Sequence, residues 1–204
     1  ALLNDEFVLH YQPEINMRTG EIIAVEALIR WQHPERGLLF PGDFLSDMEG
    51  PELEFELGLW VINSALQQLQ YWQQAGLDIV VSVNIAANHL HANNFIQSLQ
   101  QILNRYHDIR PASLQLEILE SSALGDVPTL SRIIDDCRHR VGVLIALDDF
   151  GTGYSSLTHL RHLAANSVKI DQSFVRDMLE DDSDYNIVDG VISLAKAFNR
   201  QVIA

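Results

Sequence analysis

The sequence predicts an α/β fold, a parallel sheet wrapped by helices and laid out as a (β/α)8-type barrel about one βα unit short. Three observations predict it. Short strand-like runs alternate with longer helix-like runs along all 204 residues. Seven strand-like runs can be counted, whereas such a barrel takes roughly 250 residues. The strand-like runs also carry polar residues on one face near their C-terminal ends.

The elements follow in order. "FVLHYQPEIN" and "EIIAVEALIRW" flank the turn Met17-Arg18-Thr19-Gly20, so the first two strands form an antiparallel hairpin. A long amphipathic helix, "PELEFELGLWVINSALQQLQYWQQAG", has Pro51 near its start and Gly76 just past its end. Then come the strand "DIVVSVNIA", a helix around "FIQSLQQILNRY" and the strand "SLQLEILE". A helix around "TLSRIIDDCRHR" leads to the strand "VGVLIALDDF". The last part reads as a short helix at "SLTHLRHL", the strand "SVKID", a helix at "NIVDGVISLAKAF" and the strand "QVIA".

Composition narrows the function. Hydrophobic residues make up 47%, with three Trp and eight Phe, which suits a globular domain with a core. There are 13 Lys+Arg against 28 Asp+Glu, a formal charge of −15, which excludes binding a nucleic-acid polymer through a basic face. A small anionic ligand held by a few local cations or by metal stays compatible. The lone Cys137 excludes an internal disulfide and fits a reducing compartment, so a cytoplasmic domain is expected. No apolar run approaches membrane-span length, and no membrane contact by this domain is expected. The chain opens at "ALLNDEF" and ends at "RQVIA", mid-pattern, and reads as one domain, 1–204, excised from a longer protein.

The strand ends carry the chemistry. Glu26 and Arg30 share a face of the second strand, with Ala24 and Leu28. Ser82 pairs with Asn84, Gln115 with Glu117, Ala146 with Asp148, and Lys169 with Asp171 in the same way. In a parallel barrel these ends converge on one mouth, gathering Glu26, Asn84, Glu117, Asp148 and Asp149. Carboxylates so gathered cannot all stay ionised without a cation. An all-oxygen set without Cys or His suits Mg²⁺ or Mn²⁺. Asp148, at the strand tip, is placed to bridge two ions, and Asp149 to reach the second.

One acidic residue at a strand end is ordinarily solvated or caps the next helix; five such polar positions aligned on consecutive strands ask for another account. Lys169 has two readings, neutralising a carboxylate such as Asp171 or serving catalysis. Gly151 and Gly153 permit a tight turn and are a weak sign of phosphate binding. The histidines, among them His33, His89, His91, His107, His139, His159 and His162, lack ligand spacing and read as surface residues. Trp31, Trp60 and Trp72 read as core.

The motifs together resemble a known family. "YQP", "TGEI", "EALIRWQHP", "VNIA", "LEILES", "IALDDFGTGYSSL" and "KIDQSFV" stand in the order and approximate spacing of EAL domains, the bacterial cyclic di-GMP phosphodiesterases. The resemblance covers nearly the whole chain and implies a TIM-like (β/α)8 barrel with an antiparallel first strand. It implies Glu26, Asn84, Glu117 and Asp148 as ligands of a first metal, and Asp148 and Asp149 of a second, in a two-metal Mg²⁺ or Mn²⁺ site. Glu26 and Asp148 thereby count as catalytic, with Lys169 as the residue that orients the attacking water. Arg30 matches a ligand-phosphate contact, and Gln12 and Asp171 are expected at the substrate. Glu120 matches the glutamate that holds the loop Phe150, Gly151, Thr152, Gly153, Tyr154, Ser155 and Ser156, the family's usual dimer contact.

Departures fall at Ala86, Leu119, Ala164, Asn166 and Gln172, and at Ser46, Met48 and Glu52 near the ligand rim; none removes a metal ligand. The family continues past Ala204 with a further metal-binding glutamate and the closing strand, so the chain as given is expected to be a truncated barrel. The resemblance implies hydrolysis of cyclic di-GMP to linear pGpG in bacterial second-messenger signalling, by a homodimer, with a sensor or GGDEF domain preceding it in the parent chain. The alternative is an inactive EAL domain that serves as a cyclic di-GMP receptor or regulatory module. An unrelated metal-dependent barrel hydrolase does not explain the ordered motifs.

Overall fold

The computed structural model describes residues 1–47, 50–123, 126–152 and 157–204. They divide into two compact units, Ala1–Gln115 and Leu116–Ala204. In the first unit, β1 (Phe7–Ile15) and β2 (Ile22–His33) form the predicted antiparallel hairpin, paired from Phe7↔Trp31 to Glu14↔Ala24. Asn16 closes the turn: its Oδ1 accepts from the Arg18 backbone N–H at 3.0 Å, and Gly20 takes φ 74°. A third strand, β3 (Gly37–Leu39), pairs antiparallel with β2 and was not among the seven expected. The turn that returns it is tied by His33, whose Nδ1 accepts from the backbone N–H of Glu35 and Arg36. β4 (Val80–Ile85) lies parallel to β2, with Glu26 level with Ser82.

Helix α1 (Pro51–Gln74) buries Leu57, Val61, Ile62, Ala65, Leu66 and Leu69, the 3–4 residue spacing of one helical face. Each such leucine contributes about 1.5–3 kcal/mol relative to exposure. Helices α2 (Ala87–Leu90) and α3 (Phe95–Leu103) follow β4. An aromatic cluster joins Phe7 to Trp31, Phe44 and Trp60, with ring centroids 5.7, 5.6 and 5.9 Å away. The predicted core tryptophans are thus half-buried; the Trp31 indole donates to Glu6 Oε2 at 2.8 Å, and Trp72 meets Tyr11 edge-on at 4.8 Å.

The surface reading of the histidines fails at His89, which is buried. Its ring packs against Phe55 and Phe95, at centroid distances of 4.7 and 5.0 Å. Gly58 of α1 makes the room: a Cβ there would lie 2.0 Å from His89 Nδ1 and 2.2 Å from Cε1. Burial holds the imidazole neutral and lowers its pKa to about 4.

In the second unit, β5 (Leu114–Leu119) opens at the boundary between the units, and β6 (Leu144–Phe150), β7 (Ser167–Ile170) and β8 (Gln201–Ile203) follow in order. The pairs β6–β7 and β7–β8 are parallel. Helix α4 (Val127–Asp136) is capped by Asp126, which accepts from the Thr129 N–H, and runs into a π-helical turn at Cys137–Val141. Helices α5 (Leu157–His162), α6 (Gln172–Asp177) and α7 (Asp182–Ala197) complete the unit. α7 starts a turn earlier than its apolar pattern suggests, because Asp181 caps it by accepting from Ser183 N–H at 2.7 Å. The core gathers Phe150, Leu160, Val168, Ile170, Val188 and Val191.

Asn166, one of the departures from the family pattern, ties strand starts together. Its Oδ1 accepts from Ile145 N–H at 3.0 Å, its N–H donates to the Ile145 carbonyl, and its carbonyl accepts from Gln201 N–H. Cys137 is buried and free, as its isolation in the sequence requires. Among the described residues, no helix is long and apolar enough to cross a membrane.

Two outcomes follow from the His89–Gly58 contact. Gly→Ala inside a helix ordinarily stabilises by about 1 kcal/mol. Gly58→Ala should instead destabilise by about 1–3 kcal/mol, because the new methyl overlaps a buried ring that has nowhere to go; the midpoint of urea unfolding measures it. The second outcome concerns acid. His89 binds a proton more weakly folded than unfolded, so stability is lost as pH falls from 6.5 through about 4. The loss reaches about 3 kcal/mol from this group. His89→Leu should flatten that part of the stability–pH curve, as read by urea unfolding at several pH values.

Candidate active site

In the first unit, β2 and β4 bring two of the predicted ligands together. Asn84 Nδ2 donates to Glu26 Oε1 at 2.8 Å. Gln12 stands directly opposite Glu26 in the hairpin register, so the two share a face of the sheet. Beside them, Gln115 Nε2 donates to Ser82 Oγ at 2.9 Å, a buried polar pair at the base of the same faces. Arg30 lies two alternations beyond Glu26 on β2. Its Nη1 donates to the Ile29 carbonyl at 2.8 Å, and its Cζ sits 4.6 Å from the centroid of the Phe40 ring.

In the second unit, β5, β6 and β7 bring Glu117, Asp148 and Lys169 together. Lys169 Nζ donates to Glu117 Oε2 at 2.7 Å and lies 3.9 Å from Asp148 Oδ1. The Glu117 side chain is 0% exposed and that of Lys169 13%, so the pair is largely withdrawn from water. The lysine thus pairs with Glu117 and stands near Asp148, carboxylates from other strands. Asp171 caps α6, accepting from both the backbone N–H and the hydroxyl of Ser173. Those bonds hold its carboxyl below the usual range.

Asp148 and Asp149 differ in backbone as well as in position. Asp149 has φ 54°, in the left-handed region that few residues other than Gly, Asn and Asp adopt. The β6–β7 register shifts between Leu147 and Phe150. The Asp149 N–H donates to Asp148 Oδ1 at 3.0 Å. A regular strand would send the two side chains to opposite faces; the left-handed residue and the register shift break that rule at Asp149. Burial, then the charges of Asp148 and Asp171, hold the Asp149 carboxyl above the usual range. The sequence reading found both aspartates and missed the kink between them.

Glu120 is buried in the short turn Glu120–Ala123 that ends β5. Phe150 packs in the core, Gly151 has φ 109°, and the Thr152 hydroxyl donates to the Asp149 carbonyl at 3.0 Å. Gly153, Tyr154, Ser155 and Ser156, the rest of the predicted loop, lie outside the described residues, as does Met48.

Among the described residues, no three or more His, Cys, Asp and Glu side chains stand as a ready-made metal cluster. The donor chemistry nevertheless fits a hard divalent cation. The first unit offers a carboxylate and an amide, and the second gathers three carboxylates around the Lys169 ammonium.

Comparison with known proteins agrees with this geometry. The family model described as "EAL domain" matches residues 1–204. The chain is 38% identical over its whole length to the bifunctional diguanylate cyclase/cyclic di-GMP phosphodiesterase MucR of Pseudomonas aeruginosa, covering 30% of that protein. It is 39% identical to the cyclic di-GMP phosphodiesterase PdeR of Escherichia coli, again covering all of this chain and 30% of the relative. The chain thus spans about a third of the length of these curated relatives. The solved MucR phosphodiesterase in complex with c-di-GMP superposes with a TM-score of 0.91 at 37% identity, covering 99% of this chain and 81% of that one. Its fold is therefore the TIM-like fold of solved EAL structures, antiparallel first strand included. The chain belongs to the EAL domain family.

Proposed function

We propose that this domain hydrolyses cyclic di-GMP to linear pGpG with two divalent cations, Mg²⁺ or Mn²⁺, in bacterial second-messenger signalling. The observation that carries the reading is the Glu117–Lys169–Asp148 arrangement, with Asp149 turned beside it. It supplies acidic metal ligands and a positioned ammonium in one unit. The relatives named as cyclic di-GMP phosphodiesterases support the same reaction.

In this reading Glu26, Asn84, Glu117 and Asp148 hold one ion, and Asp148 and Asp149 hold the other. Bound cations would lower the pKa of a water and offset charge on the phosphate. Lys169 anchors the Glu117 carboxylate and, with three N–H donors, also orients the attacking water. Arg30 presents its guanidinium to a ligand phosphate. Gln12, level with Glu26, and Asp171, whose charge acts on Asp149, border the ligand. Glu120 and the segment from Phe150 to Ser156 couple Asp149 to a homodimer contact. The setting we propose is cytoplasmic, with a sensor or GGDEF domain elsewhere in the parent chain.

A second reading, a cyclic di-GMP receptor without turnover, draws on one observation. The Lys169 ammonium pairs with Glu117 at 2.7 Å, giving that buried carboxylate a counter-charge from the chain itself. Chromatography of the reaction products separates the two. Mg²⁺- or Mn²⁺-dependent appearance of pGpG supports the enzyme, and ligand binding with no product supports the receptor. Asp148→Asn should abolish turnover, and retained metal-dependent turnover would defeat the assignment.

Lys169→Met should cost both activity and about 3–5 kcal/mol of stability, because it leaves a buried carboxylate without its cation. Adding Glu117→Gln to that variant should restore much of the stability and none of the activity. Urea unfolding and product formation, measured on the same three proteins, check this.

A further inference from the structure

The Arg30 guanidinium is held in an unusual way for an acidic protein. The chain carries 28 acidic residues, yet among the described residues Arg30 forms no ion pair. Its Nη1 bonds the neighbouring Ile29 carbonyl, and its Nε is buried with no hydrogen-bond partner. What covers it is the face of Phe40, 4.6 Å from Cζ to the ring centroid, inside the range of a cation–π contact.

Phe40 is not placed there to fill the core, since 55% of it is exposed. Its backbone is fixed instead. The β2–β3 register ends at Trp31↔Leu39, so the next step of the antiparallel ladder sets Phe40 across from Arg30. The Phe40 N–H donates to Asp43 Oδ2 at 3.0 Å, and its carbonyl accepts from the Asp43 N–H at 2.8 Å. A rigid two-bond clasp therefore holds an open aromatic ring against one cation.

A guanidinium stacked on a ring has one face capped and its N–H edges directed in its own plane. That is the orientation in which it meets phosphate oxygens two at a time. We infer that Phe40 is a positioning residue for Arg30: its ring fixes the plane from which the guanidinium meets an anionic phosphodiester. The ligand part of this inference rests on the cyclic di-GMP reading above; the fixing of Arg30 by Phe40 does not.

The test uses four proteins, the unaltered chain, Phe40→Leu, Arg30→Ala and the double variant, with Phe40→Trp as a fifth that keeps a π-face. Without ligand, ¹⁵N relaxation reads the order of the Arg30 Nε–H. It should fall to flexible values, below about 0.6, in Phe40→Leu and stay high in Phe40→Trp. Calorimetric titration with cyclic di-GMP should show about a two- to five-fold loss of affinity in Phe40→Leu. In the Arg30→Ala background Phe40→Leu should cost nothing further. Unchanged Arg30 order in Phe40→Leu overturns the inference, as does an equal loss of affinity with and without Arg30. If the unaltered chain binds no cyclic di-GMP, the functional reading fails, and the relaxation data still decide whether Phe40 fixes Arg30.

Discussion

The second unit depends on one ammonium. Lys169 reaches from β7 to the fully buried Glu117 of β5 and stands within ion-pair distance of Asp148 on β6. A carboxylate taken out of water is costly unless a cation and good hydrogen-bond geometry accompany it. A single lysine at the end of a parallel strand supplies the cation to two neighbours at once. Its flexible stem and compact charge suit that place better than a planar guanidinium, which seeks paired acceptors in one plane. The polar ends of three strands are thereby made compatible with an apolar sheet below them, where Leu116, Leu147 and Val168 are buried.

In the proposed reaction structural and chemical roles coincide: the ammonium that pairs with the buried Glu117 is the one assigned to the attacking water. The first unit solves its own problem differently. There a neutral amide, Asn84, donates to Glu26, and the Arg30 guanidinium lies over the Phe40 ring.

Much of this was legible in the residues. Strand-like runs between helical ones located the seven main strands, and period-two alternation located the polar positions on five of them, because a strand's two faces are set by geometry alone. What escaped has physical reasons. β3 is three residues long, too short for any period to show. His89 was read as surface because it lacks ligand spacing, while the room for its ring is made by Gly58, far away in sequence; a glycine inside a helical run was the available signal. Asp171 was offered as an example of a carboxylate for Lys169 because it is near along the chain, whereas the oxygens that Lys169 meets come from β6 and, across it, from β5. The left-handed residue at Asp149 was foreshadowed only by an Asp followed two residues on by Gly.

That left-handed residue separates two requirements that a sequence comparison would merge. Under the proposed reaction position 149 supplies a carboxylate, and in the structure it also bends β6 so that Phe150 returns to the core and its carbonyl accepts from the Asp171 N–H. Asparagine and glycine meet the second demand and not the first; glutamate meets the first far less easily, because its longer side chain disfavours positive φ. A lineage that gave up catalysis could therefore keep its architecture by drifting to Asn or Gly here, whereas drift to a β-branched residue would unsettle the strand itself. The identity of this one residue would then record whether a silent relative lost its chemistry with its scaffold preserved.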